Sequence, residues 1–324
     1  QIILRISFGK DAYSASEETR QTTMGNTDPL YGKTADAFSA RCNSNCPLQI
    51  IDSSEGQFTC HKKTKYFEYV DIIVNKNIIL SPMGTGNGAH VVHKLLENCI
   101  PGYHVISYNP YRTLFPPSLL FLGRFKQAAL IHTTPDYSFF HAQKDIPLVV
   151  TFHNYVLDRF MHDYSSNLQN IHYQTDLKIF TKLAIGKAGF ITAVSQFTAD
   201  LVNQEMHLQG KKIKVIYNGI DQTLFTPPNL KQKKLHQINV LFSGNLTQRK
   251  GVQWLIPIAD KLDKNITILY TSGLQPTGTS LNHPQLICVG SIPYQQMPAL
   301  YQNADILLFP TVREGFGLAA AEAM

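Results

Sequence analysis

Short apolar runs alternate with amphipathic stretches along most of the chain, and the alternation begins abruptly at Asn77. Runs at Asn77 to Ser81, Tyr103 to Ser107, Ala128 to Ile131, Pro147 to Thr151, Phe190 to Val194 and Ile213 to Ile216 have strand length. They lack a polar face of period two, as parallel strands covered on both sides do. Between them lie spacings such as Ala89, Val91, Val92, Leu95 and Leu96, which gather one apolar stripe on a helix. A second series starts at Ile238, with strands predicted at Ile238 to Phe242, Ile266 to Tyr270, Leu286 to Val289 and Ile306 to Phe309. Helices are predicted at Gly251 to Leu262 and Tyr294 to Asn303. Thr226 to Gln237, with its paired prolines and basic residues, reads as a linker.

This pattern predicts two α/β domains with parallel sheets, residues 76–225 and 238–324, hinged at the linker 226–237. Ligands of such sheets sit at the carboxyl ends of strands, so the cleft between the domains is the expected site. Residues 1–75 are rich in Ser, Thr, Asn and Gly, with one good apolar run, Ile2 to Phe8. They read as an irregular N-terminal extension, unassigned in function.

Charged residues make up 16% of the 324 and hydrophobic residues 44%, which excludes a disordered chain. No run of about 18 apolar residues could span a bilayer, and the first ten residues carry no secretory leader. Five scattered cysteines suit a reducing compartment, so the chain reads as cytoplasmic. A net charge of +6 fits an anionic ligand or membrane surface. The clusters Lys211-Lys212, Lys214 and Lys231, Lys233-Lys234 are too short to point to nucleic acid. Cys42 and Cys46 with Cys60-His61 have zinc-ligand types without a known spacing, and no metal site is expected.

Four segments carry candidate chemistry. Gly84-Thr85-Gly86-Asn87-Gly88-Ala89 follows a strand and opens a helix, where glycines let a backbone approach phosphates. No acidic residue occurs between Glu97 and Asp136 to hold a dinucleotide ribose, so a nicotinamide cofactor is not expected. In Arg313-Glu314-Gly315-Phe316-Gly317-Leu318 a strand end turns into an Ala-rich helix carrying Glu322. Its amides suit a diphosphate, and its two carboxylates suit hydroxyls. Arg249-Lys250 lies after the first strand of the second domain and can neutralise pyrophosphate. His153 stands just past a buried strand. Tyr111 to Lys126 mixes basic and apolar residues in a way that suits a membrane surface. A core helix after the Pro116-Pro117 turn is the reading preferred.

Taken together the chain resembles the retaining family 4 (group 1) glycosyltransferases, enzymes of the GT-B fold with two facing Rossmann-like domains. The matches run in order through Gly84 to Gly88, His153, Ala193-Val194-Ser195, Asn218-Gly219-Ile220-Asp221, Lys250-Gly251 and Glu314 to Glu322. The resemblance implies a UDP- or GDP-sugar donor, no cofactor or metal, and a carbohydrate or lipid-linked acceptor. It points to cell-surface polysaccharide or glycolipid synthesis, with peripheral contact at the inner face of the plasma membrane. It assigns Glu314 to the donor sugar, the amides of Gly315, Phe316 and Gly317 to the diphosphate, and Glu322 to the ribose. Lys250 would neutralise the leaving phosphate, His153 would face the sugar, and Gly86, Asn87 and Gly88 would line the cleft opposite. Where the family commonly has an arginine after Gly244 this chain has Asn245, and Arg249 is the expected substitute. The family continues beyond the helix of Glu322, so the resemblance implies a piece incomplete at its C-terminus and poorly active alone. A non-catalytic sugar-nucleotide-binding module and a sugar-nucleotide epimerase on the same fold are the alternatives.

Overall fold

The computed structural model describes residues 2–4, 78–122, 128–228, 237–274 and 281–324. Most of the expected extension, Cys42, Cys46, Cys60 and His61 among it, and residues 229–236 of the linker lie outside the described residues.

Two parallel sheets organise the chain. The first runs through β2 (Ile78–Gly84), β3 (Tyr103–Tyr108), β4 (Ala128–Thr133), β5 (Leu148–Phe152), β6 (Phe190–Ala193) and β7 (Ile213–Val215), in the spatial order β3-β2-β4-β5-β6-β7. The second contains β8 (Ile238–Phe242), β9 (Ile266–Thr271), β10 (Leu286–Gly290) and β11 (Ile306–Leu308), in the order β11-β8-β9-β10. Every pairing is parallel. β5 is buried at all five positions, which explains its unbroken apolar run.

In each sheet the strand order reverses at the first strand of the domain. The loops after β2 and β4 diverge at one reversal, and those after β8 and β11 at the other. Such points open a crevice at the carboxyl ends of the strands.

Three expectations change. β1 (Ile2–Leu4), in the part read as irregular, pairs in parallel with β11 at the edge of the second sheet. An exposed strand edge is a template for pairing, and the run Ile2-Ile3-Leu4 has the composition to fill it. Tyr111 to Leu122, the described part of Tyr111 to Lys126, does not form a core helix. Pro110–Leu114 and Pro116–Phe121 are separate 3-10 turns, because Pro116 and Pro117 lack the amides that would continue the first turn into the second. Tyr111, Leu114, Phe115 and Phe121 are exposed there and Leu119 alone is fully buried. The predicted helix at Gly251 to Leu262 shrinks to Leu255–Ala259, preceded by 3-10 turns at Gln248–Lys250 and Val252–Trp254. Among the described residues no helix is long and apolar enough to cross a membrane.

Candidate active site

The two crevices face one cavity of about 770 Å³, a volume usual for a small-molecule site. Its first-domain wall includes Asn87, Gly88, Asp136, Tyr137 and His153; its second-domain wall includes Arg249, Lys250, Glu314, Phe316, Gly317 and Glu322. Gly86 and Gly315, both expected at the ligand, do not line it.

On the second wall, Gly251 ends the Gln248–Lys250 turn with φ +86°, and a Cβ there would come within 2.3 Å of the Pro310 carbonyl oxygen. Only glycine lets this turn press on the segment after β11. The Val312 amide donates to the Arg249 carbonyl at 3.0 Å, tying the two loops together. Lys250 Nζ thereby meets Glu314 Oε1 at 2.6 Å, and Thr311 Oγ1 donates to the same oxygen at 2.9 Å. Arg249 Nη1 donates to the Arg313 carbonyl at 3.2 Å and stands 3.9 Å from Glu314 Oε1. A second cation therefore does reach this corner. Asn245 is used otherwise: its Oδ1 accepts the Leu274 amide at 2.7 Å and fixes the loop after β9.

Gly317 (φ +84°) precedes the helix Leu318–Ala323, which carries Glu322. Burial pushes the Glu322 carboxyl up to about 7, partly offset by the Tyr301 hydroxyl donating to Oε2 at 3.0 Å.

Among the described residues the first wall lines the cavity with no lysine or arginine; its acidic residue is Asp136, whose carboxyl burial raises to about 6. Asn87 caps α1 (Gly88–Cys99), its Oδ1 accepting the His90 amide at 2.8 Å while its Nδ2 donates to the Gly84 carbonyl at 3.2 Å. Gly86 takes φ +82° in the turn before it. Nothing lies within 4 Å of a Cβ built at Gly88, so the ligand side of the turn is open. His153 lies next to β5, and its Nε2 is 3.2 Å from Nε2 of the fully buried His93 on α1. Burial, helped by His132, holds His153 down to about 3. His132 is held down to about 4 and His93 well below the ordinary histidine range, again by burial first. All three imidazoles are neutral near pH 7.

The walls touch directly. A Cβ on Gly315 would clash with the His153 carbonyl oxygen, so only glycine lets the two domains approach this closely here. Arg313 Nη1 reaches Asp158 Oδ1 at 2.5 Å, with both side chains buried, and its guanidinium lies 4.6 Å from the Phe160 ring centroid.

His93, His132, Asp136, Asp158 and Arg313's clamp were not singled out from the sequence. The available signal was polar residues inside apolar strand runs, His132, Thr151 and Thr192 among them. Among the described residues no group of three or more His, Cys, Asp or Glu side chains is arranged to hold a metal ion.

Comparison with known proteins follows the same division into domains. Residues 78–224 match the family model described as glycosyltransferase family 4, and residues 237–324 that described as glycosyl transferases group 1. The chain belongs to this family 4, group 1 of glycosyltransferases.

An uncharacterised glycosyltransferase of Methanocaldococcus jannaschii is 25% identical to it over 201 residues, 55% of this chain and 49% of that protein. An O-antigen chain mannosyltransferase of Salmonella typhimurium is 21% identical, over 49% of this chain and 45% of that one. The chain spans about half the length of these curated relatives. Among solved structures, the sucrose-phosphate synthase of Thermosynechococcus elongatus matches with TM-score 0.58 and 17% identity, over 76% of this chain and 78% of that one. Anabaena HepE, solved with UDP and glucose, matches with TM-score 0.53 and 19% identity, over the same shares. These likenesses show the fold, and the glycosyltransferase chain is GT-B.

Proposed function

We propose that the chain is the core of a retaining transferase that moves a hexose from a UDP- or GDP-sugar to a hydroxyl. The acceptor is a carbohydrate or a lipid-linked sugar in cell-surface polysaccharide or glycolipid synthesis. The observation that carries this reading is the Lys250–Glu314 pair, which shares one cavity with His153 from the opposite domain. An O-antigen mannosyltransferase among the relatives and a UDP- and glucose-bound neighbour of the same fold support it.

In this reading Lys250 and Arg249 take the charge that develops on the departing diphosphate, a fixed electrostatic role that needs no metal. The amides of Phe316 and Gly317 join them. Helix-start amides lack intrahelical partners and are free to take anionic oxygens. Glu314 accepts sugar hydroxyls and Glu322 those of the ribose. His153 faces the sugar, and Asn87 and Gly88 border the cleft opposite. The bond from the anomeric carbon to the phosphate oxygen breaks as the acceptor oxygen bonds on the same face. The acceptor's proton leaves on the phosphate.

The test is to assay the protein, with its natural flanking sequence, against UDP- and GDP-sugars in EDTA. Donor is expected to be consumed only with acceptor present, and the product to keep the anomeric configuration. An inverted product or strict metal dependence overturns the mechanism. Conversion of the donor without acceptor indicates the epimerase, and binding without turnover the binding module. Glu314→Gln is expected to cut transfer far more than it lowers Tm.

A further inference from the structure

The layer between α1 and the first sheet would ordinarily be apolar. Here it holds three imidazoles, a phenol and three hydroxyls, joined in one chain that ends at the cleft. Thr192 Oγ1 on β6 is 2.6 Å from Thr151 Oγ1 on β5, which is 2.7 Å from His132 Nε2 on β4. His132 Nδ1 is 2.8 Å from the Tyr103 hydroxyl on β3, and that hydroxyl is 2.8 Å from His93 Nδ1. Ser81 Oγ on β2 is 2.7 Å from the same His93 nitrogen. His93 Nε2 then meets His153 Nε2 at 3.2 Å.

These protons can point one of two ways. Pointing toward the cleft, each hydrogen from Thr192 to Tyr103 finds an acceptor within 2.8 Å, and His93 Nε2–H donates to His153. Pointing away, the chain must end on the Thr192 hydroxyl, whose only remaining acceptor among the described residues is the Val150 carbonyl at 3.5 Å, at the limit of a hydrogen bond. In the first arrangement the single lone pair of His93 Nδ1 takes the Tyr103 proton, and the Ser81 hydroxyl beside it finds its acceptor in the Tyr103 oxygen. The direction with every hydrogen placed makes His93 Nδ1 the acceptor and His93 Nε2 the donor.

We infer that His93 is a positioning residue that fixes His153 as the Nδ1–H tautomer, so that the ring presents a hydrogen-bond donor to the ligand in the cleft. Among the described residues His153 Nδ1 has no partner of its own. That the ligand facing it is the donor sugar rests on the function proposed above; the tautomer does not. A ring fixed in this way can donate to a sugar oxygen and cannot accept from a sugar hydroxyl.

The experiment labels the ligand-free protein with nitrogen-15 at histidine and reads ring tautomers by nitrogen–proton correlation, with His153 identified by the signal lost in His153→Asn. His153 is expected to carry its proton on Nδ1. In His93→Gln, whose amide can still donate, the tautomer is expected to persist. His93→Leu is expected to mix both tautomers and to lower kcat about tenfold, the weight of one neutral hydrogen bond, with the donor KM within about twofold. If His93→Leu fails to fold, Ser81→Ala with Tyr103→Phe strips both hydroxyls from His93 Nδ1 and is expected to mix the tautomers as well. A proton on His153 Nε2 in the unaltered protein overturns the inference, as does an unchanged tautomer in folded His93→Leu or in the folded Ser81→Ala, Tyr103→Phe double variant. Because the spectra need neither donor nor turnover, a protein that binds no sugar nucleotide yet shows the Nδ1–H ring retires the proposed function and supports this inference. A protein that transfers sugar with His153 protonated on Nε2 does the reverse.

Discussion

On the first-domain wall of the cleft the polar groups behind His153 are imidazoles and hydroxyls kept neutral by burial, whereas the second-domain wall carries Arg249, Lys250, Glu314 and Glu322. The first wall lies over a helix–sheet interface, where a charge would cost more than any single partner returns. The second lies on loops beyond the strands, where Lys250 and Glu314 keep some exposure and pair at 2.6 Å. The difference teaches a division of labour. Charge on a bound diphosphate must be balanced from the second domain. Among the described residues the first lines the cavity with neutral imidazole and amide groups and the carboxyl of Asp136 but no lysine or arginine, and is left to orient the rest of the ligand.

The largest expected effect comes from separating the walls. Asp158→Asn would leave the buried Arg313 guanidinium without its counter-ion, and removing one partner of a buried pair typically costs about 3–5 kcal/mol. A marked fall in Tm is expected in thermal unfolding, with loss of transfer even where the variant stays folded. An unchanged Tm would show that the two domains do not depend on this clamp.

A smaller effect sharpens the contrast in charge. The Glu322 carboxyl, ordinarily near 4.5, is raised to about 7, so the folded chain holds a proton that the unfolded chain has already released. The stability from that proton is present below pH 4.5 and is lost as pH rises to 7. Tm is therefore expected to decline more steeply between pH 4.5 and 7 in the natural protein than in Glu322→Gln. Parallel curves would place the Glu322 carboxyl at its ordinary value.

The strands were legible because buried parallel strands read as continuous apolar runs, as Leu148 to Phe152 does. The charged wall was legible too, because Arg249-Lys250 and Glu314 to Glu322 follow strand ends at short spacing. The first wall was not. Ser81, His93, Tyr103, His132, Thr151 and Thr192 are spread over more than a hundred residues, and only the strand order β3-β2-β4-β5-β6 brings them into one layer. His93 also sits within the helical stretch that held the apolar stripe, and nothing in that local pattern showed what faced it. Tyr111 to Leu122 was misread because its apolar content outweighed Pro116 and Pro117.

The division of labour is tested most directly by titrating a nucleoside diphosphate and its sugar conjugate, by calorimetry, against the natural protein, Lys250→Ala and His153→Ala. Lys250→Ala is expected to weaken both ligands about 10- to 100-fold, the weight of a charge-assisted contact. His153→Ala is expected to leave the diphosphate's affinity unchanged and to remove only the additional affinity contributed by the sugar. If His153→Ala weakens the bare diphosphate as much as Lys250→Ala does, the two walls do not divide charge from orientation.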